Sequence, residues 1–163
     1  MSAKYSKQIE ALYFEMYGQM IVYAQSALGS RPLAEEAVQE TFRIACQKAR
    51  NVCTSPNPQG WIFNTLKYTI QNMRRNQESA KQLLDRYALQ QKGKTPATEN
   101  SISLDALYEN LADSEEFQIL KELAVERKSH EEIAAARGIS VSASKKRVQR
   151  AKALLRKKMK NYI

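Results

Sequence analysis

Five polar side chains near the C-terminus, Ser142, Lys145, Lys146, Gln149 and Arg150, recur at spacings close to one helical turn, so on an α-helix they share a face. Their chemistry suits hydrogen bonding to a polyanion with a readable edge. Lys and Arg reach phosphates or guanine edges, and Gln can make a bidentate contact to adenine. Ser140 would open that helix, and the amides from Ser140 to Ser142 would favour a phosphate at its N-terminus. Arg147 lies beside the apolar Val148 and is assigned either to a phosphate or to a neighbouring helix. Catalytic chemistry finds less support. The chain has one histidine, His130, two isolated cysteines and no clustered acidic constellation, which argues against an enzyme. There is no GxGxxG or P-loop, and neither a metal nor a cofactor is implied.

Charge sharpens the same reading. The 163 residues carry a formal net charge of +9, which suggests a polyanionic partner. Ten Lys or Arg residues and no Asp or Glu fall between Arg137 and Lys160, leaving sixteen basic against seventeen acidic residues elsewhere. The excess is therefore local. Cys46 and Cys53 are seven residues apart. On one helix that is roughly 10 Å along the axis, too far for a disulfide. They read as buried, unpaired thiols in a reducing compartment. No stretch approaches the roughly 20 apolar residues of a membrane span, and no cleavable leader is evident. The expectation is a cytoplasmic protein with no membrane insertion.

The elements that must position these residues are helical. Glycine and proline are few and cluster at boundaries, and convincing alternating strands are absent. A first helix, about 6–28, carries Ile9, Leu12, Tyr13, Met16, Met20 and Tyr23 as an apolar stripe. Gly29-Ser30-Arg31-Pro32 breaks it and opens a second helix with Ala34, Ala37, Val38, Thr41, Phe42 and Ala45. That helix is expected to run until just before Thr54-Ser55-Pro56-Asn57-Pro58. A third starts near Pro58, carries Trp61, Ile62, Leu66, Ile70 and Met73, and ends at Arg74-Arg75-Asn76-Gln77. Residues 81–91 could continue a helix, but 92–101 are polar and hold Gly, Pro and Ser, as a flexible linker does. The expected organisation is a domain over 1–78, a linker over 79–103 and a second domain over 104–163. In the second, Leu104, Leu107 and Leu111 suggest a short helix, and Phe117, Leu120, Leu123 and Ala124 a longer one. Ser129-His130-Glu131-Glu132 reads as a capping box. Gly138 and the capping Ser140 then lead into a last helix that buries Val141, Val148, Ala151, Leu154 and Leu155. Two capped helices around a Gly turn, with a basic outer face, form a helix-turn-helix pattern.

Residues 111–155, with E-E-I-A at Glu131 to Ala134, G-I-S at Gly138 to Ser140 and a basic helix ending R-A at Arg150 and Ala151, resemble the fourth region of extracytoplasmic-function (ECF) sigma factors of the sigma-70 superfamily. LuxR-like regulators carry a similar helix-turn-helix. The N-terminal half separates the two. Ala34-Glu35-Glu36-Ala37-Val38-Gln39-Glu40-Thr41-Phe42 resembles the ECF second region, and Trp61-Ile62-Phe63-Asn64-Thr65-Leu66 resembles the run that opens its promoter-melting helix. The resemblance covers about residues 8–77 and 104–159. Family members commonly have Arg at position 64, Asn at 68 and an apolar residue at 144, where this chain has Asn64, Tyr68 and Ser144.

The resemblance implies an all-α protein of two small helical domains that binds core RNA polymerase and directs it to promoters. It implies that Glu36, Gln39 and Glu40 grip the β′ clamp helices, with further contact to the β subunit. It assigns Lys67, Gln71, Asn72, Arg74, Arg75 and Asn76 to the minus-ten element, and Ser142, Lys145, Lys146, Gln149 and Arg150 to the minus-thirty-five element. Trp61 either packs in the core or offers a stacking face, and Phe42 packs in the core. Ser144 either loosens the last helix or bonds a backbone carbonyl. An anti-sigma factor is the further partner implied. The rival reading is a helix-turn-helix regulator acting without the polymerase clamp, but the N-terminal half shows no ligand or phosphoacceptor chemistry.

Overall fold

The computed structural model describes residues 2–92 and 114–160, and these residues are helical, with no strand among them. The chain divides into two units, Met1–Arg75 and Asn76–Ile163.

In the first unit, α1 (Ala3–Leu28) turns Ile9, Leu12, Met16, Met20, Ile21, Ala24 and Leu28 inward. It ends at Gly29, whose φ of 70° is the left-handed conformation that stops a helix most cheaply in glycine. Helix α2 (Arg31–Gln47) starts with Ser30 as its cap and a proline in its first turn. Ala34, Ala37 and Ala45 are fully buried, and such small side chains let α2 lie close to α1. Buried Thr41 returns its hydroxyl to the Ala37 carbonyl at 2.8 Å. Phe42 meets Tyr13 edge to face at 4.9 Å between ring centroids. The expected single second helix is two: the backbone breaks at Lys48 (φ −109°, ψ 31°), and a short α3 (Ala49–Cys53) follows. Asn57 then caps the next helix by accepting the Gly60 amide at 2.9 Å. The core closes with Ile62, Leu66 and Ile70 of α4 (Pro58–Lys92).

Helix α4 is much longer than its sequence pattern suggested. It does not stop near Gln77, and residues 79–92, read as linker, are helical. Their apolar face, Ala80, Leu83, Leu84, Tyr87 and Ala88, belongs to the core of the second unit. There it packs with Phe117, Leu120 and Leu123 of α5 (Glu115–Ala124), Ile133 of α6 (His130–Arg137), and Val148, Ala151 and Leu155 of α7 (Val141–Lys160). Tyr87 and Phe117 stand 6.4 Å apart, and the Gln90 side chain reaches the Met159 carbonyl at 3.4 Å. The remainder of the expected linker, and the short helix around Leu104, Leu107 and Leu111, lie outside the described residues.

Candidate nucleic-acid interface

The second unit builds its outer face from three local devices. Ser129 and Glu132 form a reciprocal capping box: the Glu132 amide donates to Ser129 Oγ at 3.1 Å, and the Ser129 amide to Glu132 Oε2 at 2.8 Å. Gly138 (φ 61°) ends α6, with the Ile139 amide reaching back to the Ala134 carbonyl at 3.0 Å. Ser140 then caps α7 by accepting the Ala143 amide at 3.1 Å. Each device satisfies end groups that a short helix cannot satisfy itself. Together they fix two helices around a three-residue turn.

At 3.6 residues per turn, Ser142, Lys145, Lys146, Gln149 and Arg150 occupy an arc of about 140° on α7. All five are exposed. Ser144, Val148, Ala151, Lys152 and Leu155 are buried on the opposite side. The sequence-assigned set is thus one continuous solvent-facing surface. Val141, expected inside, is 40% exposed, because it is the first residue of α7 and precedes the turns that pack. Leu154 is only half-buried.

Three contacts on this unit join residues that are distant in sequence. Arg147 turns to a neighbouring helix, its Nη1 donating to Glu115 Oε1 at 2.7 Å. A cleft of about 300 Å³ beside this pair is lined by Glu115, Glu116, Ile119, Arg147, Arg150 and Leu154. The Ser114 hydroxyl donates to Glu116 Oε2 at 2.7 Å, which with the local backbone holds the Glu116 carboxyl below its ordinary value. Second, Ser144 shares a 3.1 Å hydrogen bond with His130 Nδ1, so its partner is a side chain rather than a backbone carbonyl. Burial, and then the charges of Lys145 and Lys152, lower the His130 pKa to about 4. The ring is neutral at pH 7. Third, Arg137 Nη1 meets Glu122 Oε2 at 2.6 Å, pinning the end of α6 to α5. Lys152, which the sequence left unassigned, is 5% exposed, and burial lowers its pKa.

In the first unit, Glu36, Gln39 and Glu40 share a face of α2. Gln39 is exposed, and the two carboxylates are half-buried. Arg43 grips Glu40 through two hydrogen bonds of 2.6 and 2.8 Å. On α4, Lys67, Gln71, Asn72 and Arg75 are exposed. Lys67 Nζ lies 5.5 Å from the centroid of Phe63, whose ring packs at a tilt of 57° against Tyr23, 5.0 Å between centroids. Arg74 stands apart from this group, because its guanidinium donates to the Ala27 carbonyl at the end of α1, where a cation complements the helix dipole. Asn76 is exposed but is the first residue of the second unit. Trp61 is half-buried against the core, which Phe42 joins.

Composition held a signal that the motif reading did not use. No Asp or Glu occurs between Glu40 and Glu78, while Arg43, Lys48, Arg50, Lys67, Arg74 and Arg75 do. The cysteines depart from expectation. They lie on separate helices; Cys46 is exposed, and Cys53 is half-buried with its thiol pKa raised by burial. Among the described residues no group of three metal-ligating side chains gathers, and no helix is long and apolar enough to cross a membrane.

A capping box, a Gly turn and a capped second helix with an exposed basic face define a helix-turn-helix. Residues 114–155 match the family model for sigma-70, region 4. The match covers 42 of the 163 residues, the whole of the helix-turn-helix, and makes this domain similar to sigma-70 region 4. No curated protein and no solved structure gives a significant match.

Proposed function

We propose that the chain is an ECF-type sigma factor that binds core RNA polymerase and directs promoter recognition and initiation. The observation that carries this reading is a region 4 domain whose second helix turns Ser142, Lys145, Lys146, Gln149 and Arg150 to solvent as one face. On this reading those residues contact the minus-thirty-five element, Lys and Arg at phosphates or guanine and Gln149 at an adenine edge. Lys67, Gln71, Asn72 and Arg75 serve the minus-ten element. Arg74 acts by positioning, through its bond to the end of α1, and Asn76 follows at the edge of the set. Glu36, Gln39 and Glu40 meet the β′ clamp, while the second unit also contacts the β subunit. The polymerase performs the chemistry. The place of action is the cytoplasm, and an anti-sigma factor is the regulatory partner.

The test is direct. Mixed with core polymerase, the purified chain should form a stable complex and start transcription at defined sites. Reversing the charge at Glu36 and Glu40 together should abolish co-purification while helicity is retained. DNA binding without any polymerase complex would instead support a helix-turn-helix regulator that acts alone.

A further inference from the structure

We infer that the outer face of α1 is a homodimer contact, covered by the same face of a second copy of this chain running antiparallel. Lys7, Ala11, Phe14, Gly18, Val22 and Gln25 fall within an arc of about 80° on the helix, and all six are exposed. Phe14 and Val22 are 74% and 71% exposed, whereas the inward stripe of the same helix is 8% exposed or less. Scattered singly, such side chains need no explanation, but aligned on one face they mark a contact surface. Charge is missing there as well. No Asp, Glu, Lys, Arg or His occurs between Glu15 and Arg31, so this face loses little when water leaves it. Leu89 and Val125 are also exposed, but they stand close in sequence to charged residues, Arg86 and Glu126.

The order of the stripe selects the occupant. Phe14 and Val22 lie four residues before and four after Gly18. In a two-fold interface every contact occurs twice. An antiparallel copy with its axis at Gly18 sets Phe14 against the partner's Val22, and Val22 against the partner's Phe14. The two glycines then face each other. A side chain at Gly18 would meet nothing within 4 Å in its own chain, so the space above it is open to the close approach of a second backbone. The charges agree with this register. Lys7 comes opposite the partner's Gly29, at the end of a helix with no basic residue in its last turn, where the helix dipole favours a cation. Glu10 and Glu15 come opposite the partner's Ser26 and the partner's Ile21, neither of them charged. From Lys7 to Gln25 the stripe runs about 27 Å. At a width of roughly 10 Å, each copy buries on the order of 300 Å², well below the roughly 800 Å² per partner of a standard complex. The dimer is therefore weak and reversible, and fills as concentration rises.

The test uses the full chain. Sedimentation equilibrium should show a reversible dimer with a Kd on the order of 100 μM. Phe14→Glu and Val22→Glu should each weaken association by roughly tenfold or more and leave helicity unchanged, since neither side chain supports the core. Register is read by cysteine trapping in a chain carrying Cys46→Ser and Cys53→Ser. Gly18→Cys should oxidise to a covalent dimer, because the residue faces itself across the axis. Ala11→Cys should not, because its counterpart stands about 21 Å away along the helix. A chain that stays monomeric up to about 1 mM, association unchanged in both glutamate variants, or trapping of Gly18→Cys that fails or only equals that of Ala11→Cys would each overturn the inference and leave this face to another protein. None of these measurements involves polymerase or DNA, so the initiation-factor reading stands or falls separately.

Discussion

The two polar helix faces, on α4 in the first unit and on α7 in the second, are built on different plans. The α7 face concentrates Lys145, Lys146 and Arg150 with Gln149 and Ser142, has no aromatic member, and is held by short, heavily capped neighbours. The α4 face spreads Lys67 and Arg75 among Tyr68, Gln71, Asn72 and Asn64, on a helix seated by an aromatic-lined core. Dense charge with few hydrogen-bonding partners for bases suits a duplex, whose phosphates line the groove. Sparse charge with amides and an exposed ring suits a strand whose bases are already available. On the proposed function, the contrast would let one small chain address two states of the same polymer.

The comparison can be broken first at the division of the chain. If the second half of α4 is core of the second unit, Leu84→Ala should cost that unit about 2–5 kcal/mol, read as loss of amide-exchange protection in α5 and α7. Protection in α1 and α2 should persist. The opposite pattern would reassign the helix.

A smaller effect should distinguish the units by pH. His130 is the chain's one histidine, and its pKa in the folded protein is about 4 against an ordinary 6.5. Between those values the unfolded chain binds the extra proton, so stability should fall as pH drops through this window. Because the ring is only half-buried and solvent screens it, the loss between pH 7 and 5 is on the order of 1 kcal/mol. Urea titrations should show it in the second unit and not in the first, and His130→Asn should flatten it. The carboxyl of Glu116, held low, contributes its own loss only below about pH 4.5.

The finest test concerns single contacts on α7. Gln149→Ala should lose about 1–3 kcal/mol at one position of a minus-thirty-five panel and relax preference there. If Arg150 contacts phosphate, Arg150→Ala should weaken all sequences alike and reduce the salt slope by about one. Arg147→Ala should change neither, since Glu115 engages that guanidinium. Uniform loss for Gln149→Ala would remove its role in specificity and blur the contrast between the faces.

Much of this was legible in sequence where the determinants are local. The capping box, Gly138 and Ser140 declare themselves within a dozen residues, and the polar arc of α7 follows from spacing alone. What escaped depends on distant partners. Leu83, Leu84, Tyr87 and Ala88 have helical spacing, but their burial depends on Phe117 and Leu155, well beyond the polar segment at 92–101. Arg74 bonds a carbonyl 47 residues away and Arg147 a carboxylate 32 residues away. The first leaves no trace in the local pattern; for the second, the place beside Val148 offered a neighbouring helix but not Glu115 as the partner. Cys46 follows the buried Ala45, and a rotation of one residue carries it to the surface.

The hydrogen bond between Ser144 and His130 has a consequence for geometry rather than strength. Apolar contacts between two helices tolerate sliding, because one methyl replaces another at little cost. A polar pair inside such a contact does not. Moving α7 by one turn against α6 would break this hydrogen bond, at about 1–3 kcal/mol, on top of the cost of repacking the apolar residues around it. Buried polar groups are best attested in this role, as markers of register. On the proposed function, Ser144 would thus index α7, fixing how far along its axis each outward side chain stands.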